Sequence, residues 1–421
     1  TLARIDCWQQ LGGIMKKIII GLIIFLTLSI LSATTVTPKS MFFADSYMLR
    51  AKGCDANYWN PALLQRGYSE IMIPFFNNSI YLGNNSFNID LYNYIMEQDY
   101  LDDVAKQKIL NAIDGNMSFS IGGNMGIIGF TTGNMSFTGS VHLAAKGALD
   151  EQFLEFVLYG NGDGSEVYHF TKNNNYAEGL GYADLTYGIG DISLPLPETI
   201  PDIKFGFALS ALGGLGNVHT RKLDGYLSSN LDGLNVQQDI IIRTGIGGYG
   251  LKAMLGLYSE PIPRLEVGAT LDNLFGFIRW ETQTQDEIYH FEINNLYASN
   301  IDEDFYIEDS STVDIKPYTT KLPPEMRLSA LYTFKPVSVS ADYVVGFGNS
   351  PEVSKQGRIS LGAQICPLPQ IPISLGYCSG NEIYPWRMSY GIGLDFKSVG
   401  FGIAIQSIES AFFNSSTKGL A

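Results

Sequence analysis

The sequence predicts an all-β protein: one antiparallel β-barrel that spans a membrane, with about fourteen strands, an N-terminal plug segment and one or two short helices. Three observations predict it. Apolar residues alternate with small or polar ones along much of the chain, short and long connections follow each other in turn, and no helix-length apolar run follows the N-terminal region. Charged residues make up 16% of the 421 residues, fewer than the roughly 25% of an average soluble domain.

The N-terminal region predicts export from the cytoplasm. Met15 is followed by Lys16 and Lys17 and then by the apolar run 18–31, which is shorter than the ~20 residues of a membrane-spanning helix. This pattern is typical of a signal peptide, which we expect over residues 15–44 with cleavage between Ala33 and Ala44. A signal-anchor helix is the alternative. Residues 1–14 precede a plausible start methionine, and we interpret them as an over-extended gene start.

The mature chain carries the period of two that marks strands. Residues 264–272 place Leu265, Val267, Ala269 and Leu271 on one face, against polar or small residues on the other. The same period predicts the barrel over residues 68–413, with strands that include 135–143, 204–211, 264–272, 327–334, 337–345, 358–365, 373–377, 390–396 and 399–406.

The connections between these strands favour a barrel over a two-sheet sandwich, which is the alternative. Short turns such as Lys335–Pro336 alternate with long stretches at about 216–233, 283–322 and 346–355. Outer-membrane barrels have short periplasmic turns and long outer loops in this way. The runs of about nine or ten residues also exceed the five or six that are usual in sandwich strands. Stretch 283–322 holds nine carboxylates and two lysines.

Two segments do not alternate and predict helices. Residues 90–113 have apolar residues at helical spacing before Gly115, and residues 149–159 form a shorter amphipathic stretch with Asp150 as a candidate N-cap. We expect both in the lumen or at its mouth. A glycine-rich stretch contains Gly122, Gly123 and Gly126. These glycines mark either a bulge of ordinary barrel geometry or a functional strand kink.

The most informative block is the candidate plug, residues 45–67, which contains Tyr58–Trp59–Asn60–Pro61–Ala62–Leu63. Proline biases the residue before it toward extended or turn geometry, and asparagine bonds readily to nearby backbone. Asn60–Pro61 therefore suits a tight turn whose backbone groups find their partners inside a lumen, with Trp59 packed against the wall. An ordered turn without any role in transport is the alternative.

This block resembles the N-terminal plug of the FadL/PorV-like superfamily of outer-membrane barrels, and most closely an uncharacterised group within it. The residues that carry the resemblance are Arg50, Gly53, Asp55, Trp59, Asn60, Pro61 and Ala62. Residues 158–161, 322–328 and 358–376 carry weaker likenesses. The resemblance implies a bacterial outer-membrane location and a plugged channel for hydrophobic small molecules such as fatty acids. The alternative that it implies is a protein-binding or scaffold barrel of a secretion or surface-attachment system.

The resemblance also implies the partners: membrane lipid, the barrel-assembly machinery, a hydrophobic small-molecule ligand and, for the alternative function, a secreted protein. A net charge of −15 argues against nucleic acid as a partner, because phosphate binding needs a basic surface. We expect no cofactor.

Candidate chemistry is sparse, and we expect no catalytic residue, no metal site and no enzymatic activity. His142 shares a polar face with Ser140, which is either a Ser–His pair of a membrane hydrolase or two lumen-facing polar residues. Cys366 and Cys378 face the lumen from neighbouring strands, in an offset register that disfavours a disulfide. The carboxylates of 302–309 are either calcium ligands or a solvated acidic loop.

Overall fold

The protein is described here by a computed structural model. It describes residues 37–65, 69–74, 77–160, 167–195, 197, 201–230, 233–296, 306–380, 383, 385–396 and 400–420. The predicted gene start and the predicted signal peptide up to residue 36 lie outside the described residues, so both stay predictions.

Strands dominate the described residues, and all their pairings are antiparallel. Their bounds are β1 (Ser69–Ile71), β2 (Asn78–Asn84), β3 (Asn116–Thr132), β4 (Met135–Asp150), β5 (Val167–Thr171), β6 (Tyr176–Ser193), β7 (Ile203–Asn230), β8 (Gly233–Ile262), β9 (Leu265–Leu296), β10 (Tyr306–Asp314), β11 (Tyr318–Lys321), β12 (Glu325–Phe334), β13 (Val337–Gly346), β14 (Arg358–Leu368), β15 (Ile371–Ser379), β16 (Trp386–Asp395), β17 (Gly400–Ile408) and β18 (Gly419–Leu420).

The pairings close into a ring. From β2 they run through β3, β4, β6, β7, β8 and β9 to β12. From β12 they continue through β13 to β18, and β18 pairs with β2. Within the described residues this makes fourteen strands in the ring, so the predicted barrel of about fourteen strands is confirmed and the sandwich is excluded. The ring includes residues 419 and 420, beyond the predicted barrel end at residue 413.

The outer surface of the ring is apolar, as the alternation predicts. On β14, Ile359 and Leu361 are 50% and 49% exposed, whereas Ser360 between them is 2% exposed and faces the lumen. β15 repeats the pattern with Leu375 outside and Ser374 inside. An apolar exterior around a polar interior is what a barrel in lipid requires. Among the described residues, no helix is both long and apolar enough to cross a bilayer.

The two ends of the barrel differ. At the turn end, short connections join strand pairs, as at 133–134, 335–336 and 369–370. At the loop end lie the longer connections, and there β7, β8 and β9 continue far past the ring, with 28, 30 and 32 residues, although about 9–11 suffice to cross a bilayer. We call residues 221–230, 233–243 and 285–296 of these strands, with β5 and β10, the blade.

The blade corrects one expectation. Stretches 216–233 and 283–322 were expected to be long loops, but most of their described residues form strands. Their acidic and amide side chains look like loop composition. Long-range pairing overrides that composition, because most of the polar residues described there lie in strand ladders that extend beyond the ring. The third expected loop, 346–355, lies within the connection between β13 and β14.

Short helices lie in two places. α1 (Pro38–Met41) and α2 (Ala56–Trp59) lie near the N-terminus of the described chain, and α3 (Ile89–Glu97), α4 (Asp103–Leu110) and α5 (Glu151–Tyr159) pack together at the loop end. The single helix expected over 90–113 is wrong, because the Asp102 side chain accepts a 2.8 Å bond from Ala105 N and starts a second helix there. The predicted N-cap at Asp150 is confirmed by a 3.0 Å bond from Gln152 N.

Candidate functional site: the plugged lumen

Residues 37–65 fold inside the ring near the turn end, and we call them the plug. Most of their side chains are buried, and they bond to inward-facing groups of strands on opposite sides of the barrel. The described plug starts at Thr37, whose side chain caps α1. It therefore includes residues 37–44, which were assigned to the signal peptide; the cleavage site itself stays a prediction.

The Asn60–Pro61–Ala62 turn is the part of the plug most closely fitted to the wall. The Asn60 side chain accepts a 3.0 Å bond from Ala62 N and donates a 3.0 Å bond to the carbonyl of Leu257 on β8. Facing this turn, the wall carries glycines at three successive strands, and a Cβ on any of them would overlap Pro61, Ala62 or Asn60: Gly190, Gly206 and Gly256. The turn and the wall are complementary in shape.

Trp59 packs beneath a cation from the wall. Its ring lies 4.3 Å from the guanidinium of Arg327 and meets the Tyr47 ring edge-on at 5.4 Å. The Tyr47 hydroxyl donates a 2.9 Å bond to Asp55, which also pairs with Lys39 at 2.8 Å. Trp59 and Asp55, both predicted plug residues, therefore belong to one buried aromatic and ionic cluster.

Arg50 joins the plug to β13. Its Nε and Nη1 donate bonds of 3.2 and 2.8 Å to the hydroxyls of Ser340 and Ser338, and its guanidinium lies 4.3 Å from the Phe43 ring. Two residues further along β13, Asp342 accepts a 3.2 Å bond from the backbone nitrogen of Met48. Three strands further around the wall, on β16, Arg387 pairs with Asp45.

A second anchor lies on β4 and β6. The Tyr58 hydroxyl donates a 3.0 Å bond to Asp184 and accepts a 2.9 Å bond from Ser140, while His142 Nε2 lies 2.9 Å from the other Asp184 oxygen. The side chains of His142 and Asp184 are fully buried. Ser140 is bonded to Tyr58 rather than to His142, so these contacts favour lumen-facing polar residues over a hydrolase pair.

A loop enters the lumen from the opposite end, and we call residues 347–357 the inner loop. The carboxylate of Glu352 accepts a 3.1 Å bond from the hydroxyl of Tyr182 on β6. Ser350 stabilises the loop tip, because its Oγ accepts bonds from the backbone nitrogens of Glu352 and Val353 at 3.2 and 3.0 Å. The plug and the inner loop together occupy the lumen from both ends.

Apolar side chains gather inside the ring at the loop end. Trp280 and Ile278 of β9 are fully buried, and the indole nitrogen of Trp280 donates a 2.9 Å bond to Thr320. The buried members of this cluster, which we call the lumen cluster, are Ala144, Leu180, Tyr182, Leu212, Ile278, Trp280 and Leu322. These side chains are 0–4% exposed, so they pack against one another and form an apolar layer in the lumen.

The predicted glycine positions divide into two kinds. Gly53 has φ of +57°, which favours glycine. On β3, Gly122 and Gly123 pair regularly with Ala144 and Leu143 of β4, whereas the ladder shifts between Gly126 and Ile128. The described irregularity is thus a bulge that begins at Gly126; a functional kink stays a prediction.

The remaining candidate groups do not form a site among the described residues. Cys54, Cys366 and Cys378 are unpaired, and Cys378 lies opposite Ser360 rather than Cys366. No group of three or more metal-ligating side chains comes together in the described part of the chain. Of the carboxylates at 302–309, Glu308 and Asp309 lie on β10, and residues 302–304 lie outside the described residues.

The plug motif was found from the sequence, but its partners were not. Asp184, Arg327 and Asp342 are single charges on inward faces of strands, and Glu352 lies in a connection. The sequence feature that could identify the strand residues is a charged side chain on the face that otherwise carries small and polar side chains. Nothing in the sequence pattern states which plug residue each charge meets.

Comparison with known proteins gives one family and several structures. A model described as a family of unknown function (DUF5723) matches residues 61–251, and no curated protein matches. The toluene transporter TodX of P. putida is similar with a TM-score of 0.46 and 10% identity over 89% of this chain and 91% of that chain. A FadL homologue of Pseudomonas aeruginosa has a TM-score of 0.47 and 10% identity over 93% and 95%.

A third similar structure is the monoaromatic hydrocarbon channel CymD, with a TM-score of 0.41 and 10% identity over 85% of this chain and 88% of that chain. The structural neighbours thus include a FadL homologue and the monoaromatic hydrocarbon channels TodX and CymD. Because all these TM-scores lie below 0.5, the fold rests on the chain's own strand pairing, which shows a fourteen-stranded antiparallel barrel with a plugged lumen.

Proposed function

We propose that the protein is a plugged outer-membrane channel for hydrophobic small molecules such as fatty acids. The observation that carries the proposal is the lumen cluster, which lies between the plug and the loop end. The cluster contains Trp280, Ile278 and Leu180. Polar solutes gain nothing from contact with apolar side chains, so this cluster favours an apolar solute. A hydrophobic solute gains roughly 25 cal/mol for each Å² of apolar surface removed from water.

Uptake by cells tests this function. We expect cells that express the chain to take up labelled oleate faster than cells with an empty vector, while sucrose uptake stays at background. Trp280→Glu should reduce oleate uptake, because it places a charge in the lumen cluster. Tyr249→Glu is the matched control, since Tyr249 is 54% exposed on β8. Oleate uptake equal to the empty vector, or equal uptake of sucrose, contradicts the proposal.

The proposal includes the location. The apolar outer surface of the ring would contact lipid, the turn end would face the periplasm and the loop end the outside, in keeping with the usual asymmetry of such barrels. Insertion would be carried out by the barrel-assembly machinery. Fractionation of the outer membrane, followed by protease treatment of whole cells, tests this orientation, because cleavage should be confined to the loop end.

A protein-binding or scaffold barrel is the second candidate function, and the blade favours it. Strands β7, β8 and β9 extend well beyond the length that crosses a bilayer, so a large sheet stands in water at the loop end. A channel does not require such a sheet. Copurification of a protein that is lost when the blade is deleted, with oleate uptake retained, would support this function.

A further inference from the structure

The blade ends in a strand edge that no described residue covers. β10 pairs with β9 along its whole length, from Tyr306 opposite Ile293 to Asp314 opposite Gln285. No second ladder of described residues includes β10, and residues 307–314 are all exposed. Nine residues at about 3.3 Å each give an open edge roughly 30 Å long.

This edge lacks several of the usual devices against strand addition. Exposed edges are commonly blunted by charged side chains, especially lysine, and by proline, a bulge or short length. β10 contains neither proline nor lysine, and its register with β9 shows no shift. Its charged side chains are all acidic: Glu308, Asp309 and Asp314. Like charges directly opposite each other destabilise a strand pair, so these carboxylates disfavour pairing with a second copy of β10.

The charge of the surrounding sheet also disfavours an acidic partner strand. The lysine and arginine side chains of the blade lie on β7 and β8, where they are already paired: Lys222 contacts Asp239 at 2.8 Å, and Arg221 and Arg243 both contact Asp286. On β9, which carries β10, Glu287 and Glu292 add two more carboxylates. The open edge therefore presents unpaired backbone groups in a negative field, which attracts a cationic strand and repels an acidic one.

We propose that the edge of β10 binds an extended segment of a partner protein that carries lysine or arginine, as an added antiparallel strand. Backbone hydrogen bonds would supply the affinity, and the carboxylates of β10 would select the charge. The binding gives the partner chemistry for the second candidate function and does not depend on conduction through the lumen.

A defined peptide tests the proposal on the full chain in detergent micelles. The probe is a fluorescent dodecapeptide of alternating lysine and threonine, and binding is followed by anisotropy at low salt. Two control peptides separate the contributions: one with glutamate in place of lysine, and one with alternate backbone nitrogens methylated, which keeps the charge but cannot complete the ladder. We expect only the unmodified cationic peptide to bind and to protect amides of residues 306–314 from hydrogen exchange.

A variant of the chain locates the site. Glu308→Gln with Asp309→Asn should weaken peptide binding about five- to tenfold, as expected for the loss of two exposed charge pairs. Glu97→Gln with Asp103→Asn is the matched control, because both residues are exposed at the same end of the barrel on α3 and α4. It should bind as the unmodified chain does, and oleate uptake should stay unchanged in both variants.

Three results would overturn the inference: absence of binding, equal binding of the methylated peptide, or unchanged affinity of the Glu308→Gln, Asp309→Asn variant. Dimerisation of the chain through β10 would overturn the choice of occupant. Because oleate uptake is measured separately, failure of this inference is distinguishable from failure of the proposed channel function.

Discussion

At the scale of single residues, the fit between plug and wall depends on missing side chains as much as on polar contacts. Gly206 lies where any Cβ would overlap Pro61 and Ala62. The Asn60 side chain meanwhile bonds to two backbone groups, the nitrogen of Ala62 and the carbonyl of Leu257. Asn60 and Pro61 are recognisable in the sequence because their turn chemistry is local. Gly206 is not, because a glycine in a strand has many explanations until its partner is known.

Gly206→Val should loosen the plug. Overpacking of this kind costs about 1–3 kcal/mol, which increases the fraction of displaced plugs by a factor of about 5 to 100 at roughly 1.4 kcal/mol per factor of ten. The measurement is ion conductance in planar bilayers. Gly213→Val on the same strand is the control, because a Cβ there meets nothing within 4 Å. Equal conductance of the two variants would argue against a plug seated on Gly206.

The blade contains a histidine whose protonation follows its partners. The pKa of His290 is raised above its usual value chiefly because Nδ1 bonds the Asp239 carboxylate at 2.7 Å. The carboxylate of Glu292 raises this pKa further. The pKa of Asp239 is lowered by its bonds to Lys222 and His290. Because the pKa of His290 is higher in the folded chain, its protonation stabilises the folded blade. This contribution is fully present below about pH 6.5 and is lost as the pH rises through the pKa of the folded state.

NMR titration of labelled histidine checks this expectation, with His290→Gln used to assign the signal. We expect His290 to titrate above 6.5 and to shift toward that value in Asp239→Asn. A titration at or below the ordinary value in the unmodified chain would show that the contact with Asp239 is absent in solution.

At the scale of elements, the bond from Tyr182 to Glu352 holds the inner loop to β6, so a change at Glu352 should release the loop from the lumen. Glu352→Ala removes the bond to Tyr182, and a hydrogen bond to a charged group contributes about 1.5–3 kcal/mol. We expect the loop to open about ten- to a hundredfold more often. The measurement is the rate at which a thiol reagent modifies Val353→Cys, in a chain whose native cysteines are replaced by serine.

Lys355→Ala on the same loop is the control, because Lys355 is exposed. It should leave the modification rate of Val353→Cys unchanged. Fast modification in the chain with Glu352 intact would mean that Val353, which is 4% exposed, is not held in the lumen.

Some elements are predictable from the sequence and others are not. Strands inside the membrane were predictable because lipid on one side and a polar lumen on the other enforce strict alternation, as on β12 to β15. The blade was not predictable, because its many acidic and amide residues resemble loop composition, although Tyr168, Phe170 and Leu227 on one face form an apolar cluster that packs against α5. The break between α3 and α4 was missed because the apolar spacing continues across Asp102, although that residue is a good N-cap.

At the scale of the whole molecule, the ring, the plug and the inner loop form one closed assembly. The ring follows from alternation that the sequence displays, and the plug from a short motif. Their relative placement depends on pairs hundreds of residues apart, such as Ser46 with Ser340. Such pairs leave no trace in a single sequence, since serine on the inner face of a strand is common.

The placement of the plug inside the ring is the central claim, and a disulfide tests it most directly. Ser46 Oγ and Ser340 Oγ lie 2.9 Å apart, so Ser46→Cys with Ser340→Cys, in a chain whose native cysteines are serine, should form a disulfide under mild oxidation. Val339→Cys replaces Ser340→Cys in the control, because Val339 is 40% exposed on the outer surface of the ring.

Mass spectrometry of the linked peptides, on protein in native outer membranes, is the measurement. We expect nearly complete linkage of residues 46 and 340 and none of residues 46 and 339. No linkage of the first pair, or equal linkage of both, would contradict a plug that is folded within the barrel.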